Sequence, residues 1–173
     1  ASICVEEHFT KVEEIISKIR AKDKEVLVTI VLDSLAILST KHELKQGFEK
    51  VDLFKAKLVR QGMRVLGGQF SKENILYAVS NHVIANVGSM YGPKKTTPGG
   101  SGVAFQSSVR VELTKRALLK NSKEIVIGVN VEAEVVKNKI ASPFRKVYFE
   151  VYFDRGVEKK SGIFDVLVAE GVI

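Results

Sequence analysis

The sequence lacks the features of a disulfide-bonded, zinc-bound or membrane-spanning protein. Its 173 residues include one cysteine, Cys4, so no internal disulfide can form and no structural zinc spacing occurs. No apolar run approaches the roughly 20 residues that span a bilayer, and acidic residues stand at the amino end where a secretory signal is basic. We therefore expect a soluble, cytoplasmic protein in a reducing compartment, with no membrane partner.

Acidic residues are also missing from a long central stretch of the chain. No Asp or Glu lies between Asn74 and Val111, while the whole chain carries a net charge of +7. Nothing in this stretch would repel a polyanion such as nucleic acid. A basic surplus also serves solubility alone, so charge by itself leaves both interpretations open.

Hydrophobic periodicity predicts an α/β layered domain. Residues 6–20 carry one apolar helical stripe, helical spacing returns at 53–66, and the continuous apolar runs 26–32 and 75–79 are typical of parallel strands covered on both faces. Alternation of period two, which predicts antiparallel strands, occurs in three later segments: 108–114, 125–139 and 146–154. We expect a single domain whose mixed sheet is parallel first and antiparallel later, with helices packed on it.

Polar residues follow the two buried runs. Asp33 and Ser34 end the first run, and Ser80, Asn81 and His82 end the second. Ligands of open α/β sheets bind at the carboxyl ends of the strands, and an Asp there can hold the water shell of a magnesium ion beside a nucleotide. Two alternatives remain: Asp33 or Ser34 caps the next helix, or His82 is purely structural.

A pliable segment follows directly, at residues 81–105. It holds five glycines, two of the three prolines and the adjacent Lys94 and Lys95. Gly99 and Gly100 would let backbone amides approach phosphate oxygens closely, because a Cβ would hinder that approach. The alternative is a disordered connector.

Two further patterns of basic residues can be recognised from their spacing alone. Lys57, Arg60 and Arg64 are spaced i, i+3 and i+7 down one face of the predicted helix, opposite Leu58 and Val65. A solvated charged face is the alternative interpretation. Another pair, Lys137 and Lys139, alternates along a predicted strand, so both side chains point to one face.

Three stretches in order along nearly the whole chain resemble the RecA family of DNA strand-exchange recombinases: "VTIVLDSLAIL", "MYGPKKTTPGGSGVAFQSSVR" and "VVKNKIASPF". The first resembles that family's Walker B strand, the second its second DNA-binding loop, and the third its lysine pair at the subunit interface. His82, where bacterial members carry glutamine, resembles the phage UvsX-type branch, while the long loop looks closer to the bacterial one. The resemblance implies a RecA-like ATPase core with ATP and Mg²⁺ as cofactors.

The resemblance also implies roles at the matched positions. Asp33 would position magnesium with Ser34 beside it, and Asn81 and His82 would sense the γ-phosphate and pass its state to the DNA loop. The lysine pair would reach the neighbouring subunit's ATP across a filament interface and stabilise charge on the γ-phosphate. Catalytic roles are thereby implied for four residues: Asp33, His82, Lys137 and Lys139.

The matched DNA-binding positions are Lys57, Arg64, Val87, Met90, Tyr91, Lys94, Lys95, Gly99, Gly100 and Ser101, with Phe105 and Arg110 at the subunit interface. Val87 falls where a side chain wedges between stretched base triplets. A first DNA-binding loop is implied at residues 41–52. The chain departs from the family pattern at Ala104, which replaces a lysine, and at Ile84, which replaces an arginine that touches DNA.

No GxxxxGK[ST] string occurs in these residues, although ATP hydrolysis in the family needs that phosphate-binding loop. The chain resembles the carboxyl-terminal two-thirds of the ATPase core. We therefore expect it to bind no cofactor tightly and to be inactive alone. A missing amino-terminal half or a full-length recombinase would be its partner, in a homo-oligomeric filament on single-stranded DNA. The alternative function is a non-catalytic single-stranded-DNA-binding module or a filament cap.

Overall fold

A computed structural model of the chain describes residues 4–46, 54–85 and 95–172. The chain divides between Gln106 and Ser107 into two compact units. The first unit contains a parallel strand pair with its helices, and the second contains an antiparallel sheet. The single domain expected from the length stays a prediction. Within the described ranges, no helix has the length and apolar character needed to cross a bilayer.

The first unit alternates helices and short strands. Its elements are α1 (Val5–Arg20), β1 (Val28–Leu32), a 3-10 turn (Leu35–Ile37), α2 (Lys41–Gln46), α3 (Lys55–Lys72), β2 (Ile75–Val79), β3 (Ile84–Ala85), β4 (Lys95–Thr96) and α4 (Ser101–Gln106). Strands β1 and β2 pair in parallel, with Val28 opposite Ile75 and Leu32 opposite Val79. The predicted helices and the predicted parallel pair are therefore confirmed.

The core of the first unit forms where apolar helical stripes meet one face of the strand pair. Val12 and Ile16 of α1 pack with Leu66 of α3, because residues three or four apart share a helix face. A second cluster lies at the strand ends and consists of Val5, Leu32, Leu35, Leu38 and Val59. The strand ends that carry the candidate site therefore rest on a packed base.

The prediction that both faces of the parallel strands are covered is wrong for the residues that the structure describes. Val31 is 69% exposed and Leu76 is 55% exposed, while Val28 and Leu32 on the opposite face are buried. A continuous apolar run favours a strand whichever face is covered. The run alone cannot specify what packs on its second face.

The implied first DNA-binding loop at 41–52 is partly helical. Residues 41–46 form α2, and residues 47–52 lie outside the described part of the chain. Thr40 and Glu43 bond reciprocally across the helix start: Glu43 N donates to Thr40 Oγ1 over 3.0 Å and Thr40 N donates to Glu43 Oε2 over 3.0 Å. This is a capping box, and its T-x-x-E signature is present in the sequence.

A partly buried hydrogen bond joins α1 to the centre of β2. His8 Nε2 lies 2.7 Å from Tyr77 Oη, and His8 is only 8% exposed. Burial lowers the pKa of His8, and burial also raises the pKa of Tyr77 well above its usual range. His8 is therefore held neutral in the folded protein.

We expect the first unit to lose stability as the pH falls below about 6.5, the unperturbed histidine pKa. Below that pH the histidine binds a proton in the unfolded chain but stays neutral in the folded protein, because burial lowers its pKa. Acid therefore favours unfolding progressively, and the stability contributed by neutral His8 is fully present only above about pH 6.5. Hydrogen exchange of α1 and β2 at a series of pH values measures the effect. His8→Leu should remove much of it, whereas His42→Ala, at an exposed position, should leave it in place. Equal pH dependence in His8→Leu and the unmodified protein would contradict the assignment.

The second unit is an antiparallel sheet with a terminal helix. Its elements are β5 (Val109–Lys120), β6 (Val126–Asn138), β7 (Lys146–Tyr152), β8 (Gly156–Val157) and α5 (Ile163–Ala169), and the strand order is β5-β6-β7-β8. The β5–β6 and β6–β7 pairs are antiparallel, as the period-two alternation predicts. The short β8 also pairs antiparallel with β7, and it was not predicted.

A buried carboxylate fixes the centre of this sheet. Glu132 is 4% exposed and accepts hydrogen bonds from Arg116 Nη2 over 2.8 Å and from Tyr148 Oη over 2.9 Å. Lys146 Nζ lies 3.5 Å from its other oxygen. The Tyr148 hydrogen bond and the Arg116 guanidinium hold the pKa of Glu132 below its usual range. Each oxygen of this buried charge therefore has a cationic partner, which is the condition for tolerating it.

Candidate functional site

The two parallel strands bring Asp33 and Ser80 together at their carboxyl ends. Ser80 Oγ donates to Asp33 Oδ1 over 2.5 Å. The backbone is joined as well, because Ser80 N donates to Leu32 O over 2.9 Å and Leu35 N donates to Ser80 O over 3.1 Å. Asp33 is exposed, whereas Ser34 is 5% exposed. An accessible carboxylate therefore stands at the predicted strand end, and Ser34 points away from solvent.

Asn81 and His82 continue directly from this strand end. Asn81 Nδ2 donates to Pro98 O over 2.8 Å, and His82 N donates to Asn81 Oδ1 over 2.9 Å. Asn81 is half-buried, and the His82 side chain is exposed. The imidazole, rather than the amide, is thus the accessible group at this tip.

The segment that follows is closed at its base by a short strand pair. Ile84 pairs with Thr96 and Ala85 with Lys95 in antiparallel register. Lys95 is exposed on this base. Four of the predicted DNA-binding residues lie outside the described part of the chain, so their roles stay predictions: Val87, Met90, Tyr91 and Lys94.

Glycine is needed at positions 99 and 100 for a reason different from the predicted one. Gly99 is buried with φ +87°, and a Cβ there would lie 3.2 Å from Leu35 Cδ2 and 3.4 Å from Val59 Cγ1. Gly100 has φ +69°, and its N–H donates to Thr97 O over 3.2 Å. Left-handed backbone and close packing therefore explain these glycines. The expected free amide is not found at Gly100, and contact of either glycine with DNA stays a prediction.

Glycines also allow the chain after Pro98 to lie close against α3. A Cβ on Gly100 would lie 3.1 Å from Ala56 Cβ, and a Cβ on Gly102 would lie 2.9 Å from Arg60 Cβ. Ser101, the first residue of α4, is exposed between them. Gly102 is not among the predicted site residues. Its only signal was the third glycine in "GGSG".

The predicted basic stripe on α3 is exposed. Lys57, Arg60 and Arg64 all face solvent on the helix that carries the glycine contacts. Of the two residues expected on the opposite, apolar face, Leu58 packs against the core as predicted. Val65 does not, because it is 59% exposed while Val59 and Leu66 are buried. The stripe can reach a polyanion without moving core residues.

In the second unit, three cations lie at one end of the β5–β6 pair. Arg110 is directly opposite Lys137, and Lys139 N donates to Ser108 O over 2.9 Å. Partial burial, and then the charges of Lys139 and Arg110, lower the pKa of Lys137. Like charges opposite each other destabilise a sheet. Such a cluster is therefore a candidate for binding an anion.

In the first unit, the predicted interface residue Phe105 is 74% exposed.

The donor set at the strand ends fits magnesium held jointly with phosphates. Among residues 4–46, 54–85 and 95–172, no group of three or more His, Cys, Asp or Glu side chains could hold a metal by itself. Magnesium beside a nucleotide usually takes one or two protein oxygen ligands and completes its shell with phosphate and water. Asp33, exposed and oriented by Ser80, can be such a ligand.

The parallel strand pair, the polar strand ends and the later antiparallel sheet define a mixed α/β protein with a RecA-like fold. Residues 10–158 match the RecA N-terminal domain family, and the chain belongs to that family of recombinases. It is 40% identical over 146 residues to the RecA protein of Thermus aquaticus, 37% over 145 residues to that of a Caulobacter species, strain K31, and 36% over 146 residues to that of Geobacter sulfurreducens.

These alignments cover 83% of this chain but only 40% to 43% of each relative. The chain therefore spans about two fifths of the length of the curated relatives it matches. The assignment of His82 to a phage-like branch stays a prediction.

Proposed function

We propose that the chain is part of a recombinase that binds single-stranded DNA as an ATP-dependent helical filament and promotes homologous pairing and strand exchange in recombination and repair. The hydrogen bond between Ser80 and Asp33 is the observation that carries the proposal. It joins Asp33, whose carboxylate is suited to magnesium, to the end of β2. The segment that bears Lys95 begins directly after that strand end. Nucleotide contact and DNA contact would then act on one continuous stretch of chain.

On the nucleotide side, Asp33 would hold the water shell of Mg²⁺, and the exposed imidazole of His82 would contact the γ-phosphate. ATP would supply binding energy to the filament, and its hydrolysis would allow release from DNA. Asn81 and Ser34 have more limited access, because the Asn81 amide already bonds on both sides and Ser34 is buried. Their proposed part is to shape the strand ends around the nucleotide.

On the DNA side, exposed cations would follow the phosphate backbone. Lys57 and Arg64 lie on the outer face of α3, and Lys95 lies on the strand pair that closes the loop. No acidic residue interrupts residues 74–111. Contacts of this kind give affinity that falls steeply with salt.

Between subunits, the cation cluster at Arg110, Lys137 and Lys139 would face the neighbouring subunit's ATP. Partial burial and, after it, the charges of Lys139 and Arg110 lower the pKa of Lys137, and a phosphate beside the cluster would offset the repulsion between these charges. Exposed Phe105, in the first unit, would offer apolar area at a subunit interface. A homo-oligomeric filament would provide that neighbour.

A second candidate is a non-catalytic single-stranded-DNA-binding module or filament cap. It is favoured by the absence of a GxxxxGK[ST] string from these 173 residues. Such a module would bind DNA through the same cations. It would offer its lysine pair to a full-length recombinase without binding ATP itself.

A chimera separates the two candidates. We expect the chain alone to hydrolyse no ATP, because its residues include no phosphate-binding loop. Replacing the matching segment of Thermus aquaticus RecA with this chain should give an ATPase stimulated by single-stranded DNA. Asp33→Asn in that chimera should reduce turnover by roughly 100-fold or more, because magnesium is no longer positioned. Turnover is measured as phosphate release with and without an oligonucleotide.

The control is the same chimera carrying Asp154→Asn, at an exposed position in the second unit, which should keep its turnover. A folded chimera that binds DNA but hydrolyses no ATP would favour the non-catalytic module. Turnover by the chain alone that is abolished by Asp33→Ala would overturn the partial-core proposal.

A further inference from the structure

The amide nitrogen and the amide oxygen of Asn81 each bond within the protein. Its Nδ2 donates to Pro98 O over 2.8 Å, across 17 positions of sequence, and its Oδ1 accepts from His82 N over 2.9 Å. Both halves of the amide are therefore engaged. A half-buried side chain whose nitrogen bonds a distant segment while its oxygen bonds the local backbone is suited to holding those two segments together.

The segment that Asn81 holds is the one that returns to the core, here called the return limb, residues 95–101. Its first residues pair with β3, and Gly99 is then buried with a left-handed backbone, where a Cβ would come close to Leu35 and Val59. Pro98 lies between these two attachments. Its carbonyl accepts the hydrogen bond from Asn81, which lies two residues beyond the last residue of β2.

We propose that Asn81 is a positioning residue that holds the return limb in its DNA-binding arrangement and does not itself contact phosphate. This inference rests on the proposed function, because it assumes that Lys95 and Ser101 of the return limb contact single-stranded DNA. The resemblance implies that Asn81 senses the γ-phosphate, whereas this proposal gives it a positioning role in the DNA-binding segment. The amide connects the strand end beside Asp33 to the DNA-binding segment through one side-chain hydrogen bond.

Positioning and phosphate sensing give opposite results when no nucleotide is present. A side chain that acts by touching the γ-phosphate has no effect on DNA binding in nucleotide-free protein. A side chain that holds the return limb acts with or without nucleotide. We therefore expect Asn81→Ala to weaken binding of single-stranded DNA by about three- to tenfold without ATP, the value of one hydrogen bond in a folded protein.

The salt dependence provides a second distinction. The number of counterions released depends on the number of cations at the phosphates, and Asn81→Ala removes none. The affinity should fall by the same factor at every salt concentration, so the slope of log K against log salt stays unchanged. Loss of a cationic phosphate contact would make that slope shallower.

A readout without DNA tests the contact itself. Trypsin cleavage after Lys95, followed by mass spectrometry, should be several-fold faster in Asn81→Ala and in the isosteric Asn81→Asp, because neither can donate to Pro98 O. Asn121→Ala is the matched control. Asn121 accepts bonds from Lys123 N and Ile125 N in the β5–β6 turn of the second unit, so its loss should change neither cleavage after Lys95 nor DNA affinity.

The possible results are distinguishable. Unchanged cleavage after Lys95 in both folded variants overturns the positioning role, whether or not the chain binds DNA. Faster cleavage with no DNA binding by the unmodified chain keeps the contact but rejects the proposed function. Faster cleavage with unchanged affinity for DNA also overturns the proposal, because the return limb then plays no part in binding.

Discussion

The double variant Lys57→Ala with Arg64→Ala is expected to bind single-stranded DNA about 10- to 100-fold more weakly at low salt. Both cations are exposed on the outer face of α3. Each phosphate contact to a single strand contributes roughly 0.7 to the slope of log K against log salt, so loss of two contacts should make the slope shallower by about 1.4. Fluorescence anisotropy with a labelled oligothymidine, measured at several salt concentrations, gives both quantities.

A matched control removes the same net charge elsewhere in the first unit. Lys11 and Lys18 are exposed on α1. Lys11→Ala with Lys18→Ala should leave the slope within experimental error of the unmodified protein. Equal losses in the two double variants would mean that net charge drives binding. The basic stripe on α3 would then be only a solvated face.

Replacing Gly99 by alanine is expected to destabilise the first unit by about 2 to 4 kcal/mol. Part of the cost comes from the backbone, because φ is +87° at this position and L-residues avoid that region. The rest comes from packing, since a Cβ would lie 3.2 Å from Leu35 Cδ2 and 3.4 Å from Val59 Cγ1. Hydrogen exchange of β1 and α3 measures the loss.

Gly156→Ala separates the two causes. Gly156 has φ +76° with nothing within 4 Å of its Cβ position, so alanine there should cost only the backbone part, about 1 to 2 kcal/mol. If Gly99→Ala costs no more than this control, Gly99 is not seated against the core. In that case, direct approach to phosphate would again be the better reason for this glycine.

Elements set by local pattern could be predicted from the sequence. The β2 strand at Ile75–Val79 and the antiparallel strands followed from apolar runs and from alternation. The meeting of Asp33 and Ser80 followed from one rule, that parallel strands bring their carboxyl ends to one edge. These features depend on the local pattern of apolar and polar residues and need no knowledge of contacts between distant residues.

Other features depend on contacts between distant residues, and these were not predicted. The bond from Asn81 to Pro98 spans 17 positions and leaves no periodic signal. The burial of Gly99 depends on Leu35 and Val59, which come from other elements. Val65 was placed on the apolar face of α3 by its position opposite the basic stripe, although the residues buried in the core are Val59 and Leu66. The capping box at Thr40 was readable but was overlooked.

The most direct test of the account is a salt titration of the chain with single-stranded DNA. With Lys57, Arg64 and Lys95 at phosphates, log K should fall against log salt with a slope of about −2 or steeper. Folded protein that shows no affinity for the oligonucleotide at low salt, or an affinity that does not change with salt, would contradict the claim that these exposed cations bind a DNA backbone.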